Sequence, residues 1–301
     1  SFAIVDSLGN IIAKGLIPTR TDSVEQWADN LSAGIKNIVE SSGVGDNIKG
    51  IGIGAPCANA ATGYIEAATD LPWKSPIPLA SMMESRLGYR TVISNDANAA
   101  AIGEMAYGSA IGLKNFIVLT LGTGVGSGIV CDGHLLSGTR GFAGELGHMT
   151  FPFASDRDCA CGRKGCLQTV ASAKGILETT RRFLQESDQP SSLREIPPHE
   201  LSSLAVHQAA VAGDKIAQDI YDFTGRCLGK AAAEFASITD PEAIILFGGV
   251  SKAGDLLLKP MEEAFRQSVL HLYRDTVKIS LSGLCDADAA ILGAASLPYL
   301  D

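Results

Sequence analysis

The stretch Phe116–Leu136, "FIVLTLGTGVGSGIVCDGHLL", decides the fold. Two apolar runs rich in β-branched residues flank the turn Gly122-Thr123-Gly124, and a second turn comes at Asp132-Gly133: a strand–turn–strand unit. The start of the chain repeats that layout. In "FAIVDSLGNIIAKG", Phe2–Gly15, apolar runs lie either side of Ser7-Leu8-Gly9-Asn10. The sequences of the two hairpins barely match, but each leads into alternating helices and strands. After the first comes a helix from about Asp22, its expected N-cap, with Trp27, Leu31, Ile35 and Ile38 on one stripe and Gly43 and Gly45 at its end. "IKGIGIGAPCAN" reads as a buried strand, and "RTVISNDANAAAIGEMAYG" as a short strand, a polar corner and an Ala-rich helix. After the second hairpin come a helix at "AKGILETTRRFLQES", a Pro/Ser-rich loop, and helices from about His199 and from about Asp214 to Ile238. The buried strand "AIILFGGVS", another helix, the strand "VKISLS" and the helix "DADAAILGAAS" close the chain. Strands and helices alternate in two halves, which predicts an α/β protein of two domains facing a cleft, with ligands at the carboxyl ends of strands.

The bulk composition narrows the function. The chain has 301 residues, a net charge of −9, 46% hydrophobic and 19% charged residues, the balance of a soluble globular protein with a large core. An acidic balance excludes a general nucleic-acid or membrane-surface binder, which needs clustered Lys and Arg. No run of ~18 apolar residues predicts a membrane span, and no basic-then-apolar leader is visible. Of seven cysteines, Cys57, Cys131, Cys227 and Cys285 are scattered and read as small core residues in a reducing compartment. A cytoplasmic protein is expected, in which clustered cysteines signal metal more often than disulfide.

Four motifs carry chemistry. The turn in "LGTGVGSGIV", Leu121–Val130, is either a plain Gly-rich hairpin or an anion nest, with the Thr123 hydroxyl adding a bond to a phosphoryl oxygen. It is neither a Walker loop nor a dinucleotide fingerprint, since no Gly-Lys-Ser/Thr occurs and a strand comes next. In "ISNDANAAA", Asp96 is either a helix N-cap or a general base for an alcohol held within ~3 Å, and the Asn95 amide can both donate to and accept from a hydroxyl. In "GTRGFAGELGHM", Glu145 and His148 stand three apart in a glycine-rich loop.

The fourth motif is "CACGRKGC", Cys159–Cys166. With His148, eleven residues upstream of Cys159, Cys159, Cys161 and Cys166 offer one nitrogen and three sulfurs, a set that suits tetrahedral zinc. Four protein ligands leave no open position, so the metal is expected to be structural, and a zinc hydrolase is excluded. A thiol–disulfide couple uses Cys-x-x-Cys at a helix start, and the spacing here differs. A nucleic-acid zinc ribbon would need two Cys pairs and a basic surface.

Taken together, "SNDANAAA", "LGTGVGSGIV", "GFAGELGH", "CACGRKGC" and "FGGVS" occur in the order seen in ROK (repressor, open reading frame, kinase) sugar kinases, and the resemblance covers essentially the whole chain. Through "GIGAPCANAATGYIEAATDLPW" it is most similar to the bacterial glucokinases of that family. The resemblance implies an actin/hexokinase-like (ribonuclease H-like) fold: a small N-terminal domain over 1–110, joined by the helix at 286–301, and a larger domain over 111–285 with the zinc-binding loop. It implies ATP-dependent phosphorylation of a hexose 6-hydroxyl, with ATP and Mg²⁺ as cofactors beside structural Zn²⁺. Asp96 would be the base. Asn95, Asp96, Glu145, His148 and Gln168 would contact the sugar. Gly122, Thr123, Gly124 and Gly126 would cradle phosphates, and Gly248 and Gly249 would lie against the adenosine. A homodimer without nucleic-acid or membrane partners is expected.

Two departures from the family pattern stand out. Two residues past the last cysteine the family has Glu, whereas this chain has Gln168. An amide donates as well as accepts, with less charge assistance, so another hexose or an N-acetylhexosamine enters as an alternative substrate. The family's first phosphate loop, Asp-x-Gly-Gly-Thr, is expected ahead of "FAIVDSLGNI" together with a first core strand; the native gene product is expected to carry both. A sugar-binding protein without turnover is the rival class.

Overall fold

The computed structural model describes residues 1–19, 21–67, 71–284 and 286–299. Cys285 and residues 68–70 of the glucokinase-like stretch lie outside the described residues. In chain order the elements are β1 (Phe2–Val5), β2 (Ile11–Gly15), α1 (Val24–Ser42), β3 (Ile51–Gly54), β4 (Ala58–Asn59), β5 (Tyr64–Ile65), α2 (Leu79–Leu87), β6 (Thr91–Ser94) and α3 (Asp96–Tyr107). Then come β7 (Phe116–Leu121), β8 (Val125–Cys131), β9 (His134–Leu135), α4 (Gln168–Ala171), α5 (Ala173–Glu186), α6 (Ser203–Val211) and α7 (Lys215–Thr239). The last are β10 (Ala243–Phe247), α8 (Asp255–Ser268), β11 (Lys278–Leu281) and α9 (Asp286–Ser296). The α/β architecture is the one the alternating pattern predicts.

The chain divides into two compact units: residues 1–112, 135–143 and 283–301 form one, and 113–134 and 144–282 the other. In the first, α1 is capped by Ser23, not Asp22: the Ser23 hydroxyl accepts from the Gln26 N–H at 3.1 Å. Helix α2 carries no sequence signal stronger than its Gly88 stop. The Ala-rich face of α3 packs on α9, where a Cβ on Gly103 would meet the Gly293 Cα at 2.9 Å, so only small side chains allow the helices this close.

The strands of this unit form two-stranded sheets, among them antiparallel β1–β2 and parallel β3–β6. A cavity of about 760 Å³ is lined by β1, β3, α1 and α9, with Phe2, Ile4, Trp27, Leu31, Ile53 and Ala294 among its walls. Strand β3, expected to be buried, is half-exposed because it borders this cavity.

The second unit is built on the sheet β11–β10–β7–β8, with two-residue β9 at its edge. Strand β10 runs parallel to both β11 and β7, and β7 is antiparallel to β8. Strands β7 and β10 are buried on both faces, as their continuous apolar runs require. Helix α7, capped by Asp214, fills the core with Ile220, Tyr221, Leu228 and Phe235. Helix α6 begins at Ser203 behind its Ser202 cap, four residues later than the sequence suggests. Cys227 is buried, but Cys57 and Cys131 are only half-buried, so the core reading is too strong for those two. Among the described residues no helix is long and apolar enough to cross a membrane.

Candidate functional site

In the first unit, the chain leaves β6 at Ser94 and turns directly into α3. The Asn95 Oδ1 accepts from the Ala97 N–H at 2.9 Å, which makes Asn95 the N-cap. Asp96, for which the sequence leaves the N-cap as one of two readings, is instead the first helical residue. Its carboxylate is exposed, and Oδ1 also meets the Ala97 N–H at 2.9 Å. The carboxylate oxygen not spent on the Ala97 N–H remains open to accept a hydrogen bond from a hydroxyl.

In the second unit, β8 organises the site. At its start, the turn Gly122-Thr123-Gly124 links Leu121 to its partner Val125, closed by Gly122 N–H to the Gly124 carbonyl at 3.0 Å. Gly122 has no positive φ, and a Cβ there would meet nothing within 4 Å. Neither backbone conformation nor packing demands glycine at this position, and its bare, exposed backbone is open to a ligand. Gly248, at the end of the adjacent β10, is different: its φ is 102° and a Cβ would meet the Leu121 carbonyl oxygen at 2.7 Å. Because β7 and β10 are parallel, both glycine turns lie at the same carboxyl edge of the sheet, where α/β proteins place ligands.

Further along β8, Ser127 clamps the loop that carries Glu145 and His148. Its hydroxyl donates to the Gly144 carbonyl and accepts from the Leu146 N–H. Residues Leu146–His148 form one 3-10 turn, tied by the His148 N–H to the Glu145 carbonyl at 3.0 Å. Glu145 is exposed and His148 half-buried.

The cysteine loop folds as a tight hairpin. Cys159 N–H donates to the Arg163 carbonyl at 2.8 Å and Gly165 N–H to the Arg157 carbonyl at 3.0 Å, with Gly162 and Gly165 at φ near 84° and 82°. Thr150 bridges to Cys166, and the Leu167 N–H donates to the Met149 carbonyl at 2.9 Å. These bonds bring the residues just past His148 alongside the hairpin. The ligand atoms of His148, Cys159, Cys161 and Cys166 consequently lie within 4.8 Å of one another. His148 Nδ1 is 3.7 Å from the Cys159 sulfur, and the Cys161 and Cys166 sulfurs are 3.7 Å apart. Ligands ~2.3 Å from a tetrahedral zinc ion stand about 3.8 Å from one another, so the donor set and its spacing fit that ion. Backbone bonding at Arg163 lowers the Cys161 thiol to about 6, whereas burial raises Cys166 to about 12.

Gln168 lies between the cysteine loop and the glycine turn. Its Nε2 donates to the Cys159 sulfur at 3.0 Å, and its Oε1 accepts from the Val125 N–H at 3.5 Å. Two contributors carry no sequence signal of their own. One is Ser127. The other is Arg157, 4% exposed, whose guanidinium donates to the Thr169 carbonyl at 2.7 Å and the Thr179 hydroxyl at 2.9 Å. A serine at an inward position of a Gly-rich strand needs a partner, and that could have flagged Ser127; nothing local marks Arg157.

Comparison with known proteins adds to this geometry. The family model described as "ROK family" matches residues 1–299. A glucokinase from Halalkalibacterium halodurans is 36% identical over 298 residues, 97% of this chain and 89% of that one. A xylose repressor from Caldicellulosiruptor bescii is 30% identical over 88% of this chain and 66% of its own. The crystal structure of a ROK family glucokinase from Streptomyces griseus, in complex with glucose and AMPPNP, superposes with a TM-score of 0.79 at 29% identity, covering 98% of this chain and 94% of that one.

Proposed function

This chain belongs to the ROK family, and from that premise we propose that it is an ATP-dependent sugar kinase, transferring the γ-phosphoryl group of ATP to the 6-hydroxyl of a hexose, with glucose the first candidate. The observation that carries the reading is the organisation of β8: a bare glycine turn opens the strand, and the clamped Glu145–His148 loop is fixed further along it. The glucokinase relatives span nearly the whole chain, which supports the same activity.

In this reading Asp96 takes the proton of the sugar hydroxyl. The hydroxyl oxygen forms a bond to the γ-phosphorus as the bond from that phosphorus to the β–γ bridging oxygen breaks, and ADP leaves. Asn95 spends its Oδ1 on the helix cap and offers Nδ2 to a hydroxyl. Glu145 accepts from sugar hydroxyls. His148 turns Nδ1 toward the sulfurs, which leaves Nε2 for the sugar. Gly122, Thr123, Gly124 and Gly126 give N–H and hydroxyl donors to phosphate oxygens, and Gly248 and Gly249 give a flat backbone surface to the adenosine. Mg²⁺ would neutralise phosphate charge, and the zinc cluster would hold the His148 loop in shape. Catalysis would then be positioning and charge stabilisation.

The substrate need not be glucose. The Gln168 amide supports a second reading within the same chemistry, a kinase for another hexose or an N-acetylhexosamine, because its Nε2, with one N–H on the Cys159 sulfur, keeps a second N–H for an acceptor that a carboxylate would repel. We further propose that a strand bearing the Asp-x-Gly-Gly-Thr loop belongs in the cavity of the first unit, and that the protein is a cytoplasmic homodimer. The decisive experiment is a panel of hexoses with ATP and Mg²⁺, read as sugar 6-phosphate. Calorimetric hexose binding with no phosphate transfer across the panel would replace the kinase by a sugar sensor, the class to which the repressor relatives point.

A further inference from the structure

The segment from Cys166 to Ala173 joins two parts of the second unit that the proposed chemistry treats separately. At one end, Cys166 is a candidate metal ligand, and its carbonyl accepts from both the Thr169 hydroxyl at 2.7 Å and the Thr169 N–H at 3.0 Å. At the other end, the Ala173 N–H donates to the Gly122 carbonyl at 2.8 Å, inside the glycine turn. Between them stands Gln168. Its amide nitrogen is bonded to the sulfur of Cys159, and its amide oxygen faces Val125 N–H and presses on Gly124 so closely that a Cβ there would lie 3.0 Å from it. The buried Arg157 guanidinium holds the carbonyl of the next residue, Thr169, which keeps this short helix from rotating away.

We infer that Gln168 couples metal loading at the His148, Cys159, Cys161 and Cys166 cluster to the affinity of the glycine turn for a nucleotide. The inference rests on the reading of that turn as the phosphate site. The physical link is the orientation of one amide. A metal-bound thiolate is a charged, fixed acceptor, and a hydrogen bond to such an acceptor is the stronger kind. It sets the amide plane, and the amide plane places Oε1 against Gly124 of the turn and facing the Val125 N–H at 3.5 Å, so a change in the amide's orientation reaches the turn. Without the ion the hairpin alone positions the Cys159 sulfur, and the amide is held less firmly than by a metal-bound thiolate. A carboxylate at this position could not donate to the sulfur and would set like charge against it. The glutamine that departs from the family pattern therefore has a consequence specific to this chain: it joins the metal cluster to the donor site.

Couplings of this kind change affinity by roughly five- to 150-fold, and they are reciprocal. The test measures binding of the non-hydrolysable analogue Mg·AMPPNP by calorimetry to the full chain, zinc-loaded and chelator-stripped, in wild type and in Gln168→Met, a side chain of similar length without an amide. Stripping is expected to weaken analogue binding about tenfold in wild type and less than twofold in Gln168→Met. Zinc affinity, measured by chelator competition, should rise by the same factor when the analogue is present. Gln168→Glu should bind zinc about tenfold more weakly, since the donor to the charged sulfur is lost. A cobalt-substituted protein gives a readout that never leaves the loaded, folded state: the thiolate-to-cobalt absorption band should shift on adding the analogue in wild type and stay fixed in Gln168→Met. Equal analogue affinity with and without metal, together with an unmoved cobalt band, overturns the coupling and leaves the nucleotide site standing. Undiminished coupling in Gln168→Met overturns the role of Gln168. Absence of analogue binding to loaded wild type overturns the nucleotide reading and the inference with it.

Discussion

Gly147 lies directly against Val125: a Cβ on Gly147 would stand 2.0 Å from the Val125 carbonyl oxygen. No side chain fits in that space, so the 3-10 turn carrying Glu145 and His148 can approach β8 only because residue 147 is glycine. Gly147→Ala is expected to push the turn off the strand, costing about 1–3 kcal/mol of stability as an overpacked site does. Hexose affinity and zinc affinity should both fall, because Glu145 and His148 flank the displaced residue. Thermal melts and a chelator competition check this; a variant with wild-type melting and wild-type zinc affinity would show that the loop has another way to sit.

Gly122→Ala should separate function from stability. A Cβ at Gly122 meets nothing within 4 Å and the residue has no positive φ, so stability should change by less than about 0.5 kcal/mol, as at other surface positions. If phosphates approach this backbone, the added methyl obstructs them. The expected outcome is a rise in KM for ATP of about tenfold or more with an unchanged melting temperature. Unaltered ATP kinetics would remove Gly122 from the phosphate site.

Much of the fold and of the candidate site was legible in the sequence. Gly122 to Gly128 stand out because glycine is rare between β-branched runs, and the cysteine spacing is too tight to be accidental core packing. Asn95 and Asp96 are recognisable because a polar pair at a strand end precedes an Ala-rich helix. What sequence could not give depends on contacts distant in the chain. The Ser23 cap competes with Asp22 one residue away, and only the direction of the backbone decides between them. The half-exposure of β3 comes from the cavity beside it, not from its own apolar pattern. Gly147 reads as one glycine among many until Val125 is placed beside it, and Arg157 reads as a surface charge until its carbonyl partners are seen.

Asp96→Asn should leave the fold intact and abolish turnover. The amide oxygen of Asn can still accept from the Ala97 N–H, and Asn95 caps the helix independently, so no stability change beyond about 0.5 kcal/mol is expected. As a base Asn is useless. General-base removal reduces rates by roughly 10²–10⁴, while hexose binding by calorimetry should persist. Wild-type turnover in Asp96→Asn would refute the assignment.

Asp214 predicts the acid limb of stability. Burial pushes its carboxyl up, but the Ala217 N–H, the Ser191 and Ser192 hydroxyls and the Ser192 N–H outweigh that and hold it below the usual carboxylate range. A depressed folded-state value means its contribution is complete above the ordinary Asp value of about 3.9 and is lost as pH falls through the folded one. Asp214→Ala removes the α7 cap and should cost about 1 kcal/mol at pH 7. The difference from wild type should shrink below pH ~4. Denaturant melts at pH 7 and pH 3 measure it; a constant difference would assign the cost to packing instead of to the charge.

The strand pairs of the first unit lead to the last prediction. Strand β1 is paired by β2 on one side, and β3 by β6 on one side. In β3 the N–H of Ile51 donates to the Arg90 carbonyl at 2.8 Å, and just past it that of Ala55 donates to Ser94 at 3.0 Å. With strand alternation, Gly52 and Gly54 turn their N–H and C=O groups the other way. Between the two pairs lie the apolar walls of a cavity of about 760 Å³. A single added strand supplies apolar side chains to those walls and backbone partners to both edges. A chain extended ahead of Ser1 by a β-branched strand and an Asp-x-Gly-Gly-Thr loop is expected to melt at least ~5 °C higher than residues 1–301. It should also bind Mg·ATP more tightly, since the loop's N–H groups and carboxylate add phosphate and metal contacts. An equal extension with alternate strand residues changed to Asp should give neither gain, because charges cannot enter the apolar walls. Equal melting temperatures for the three chains would mean that the first unit closes this space by repacking its own side chains.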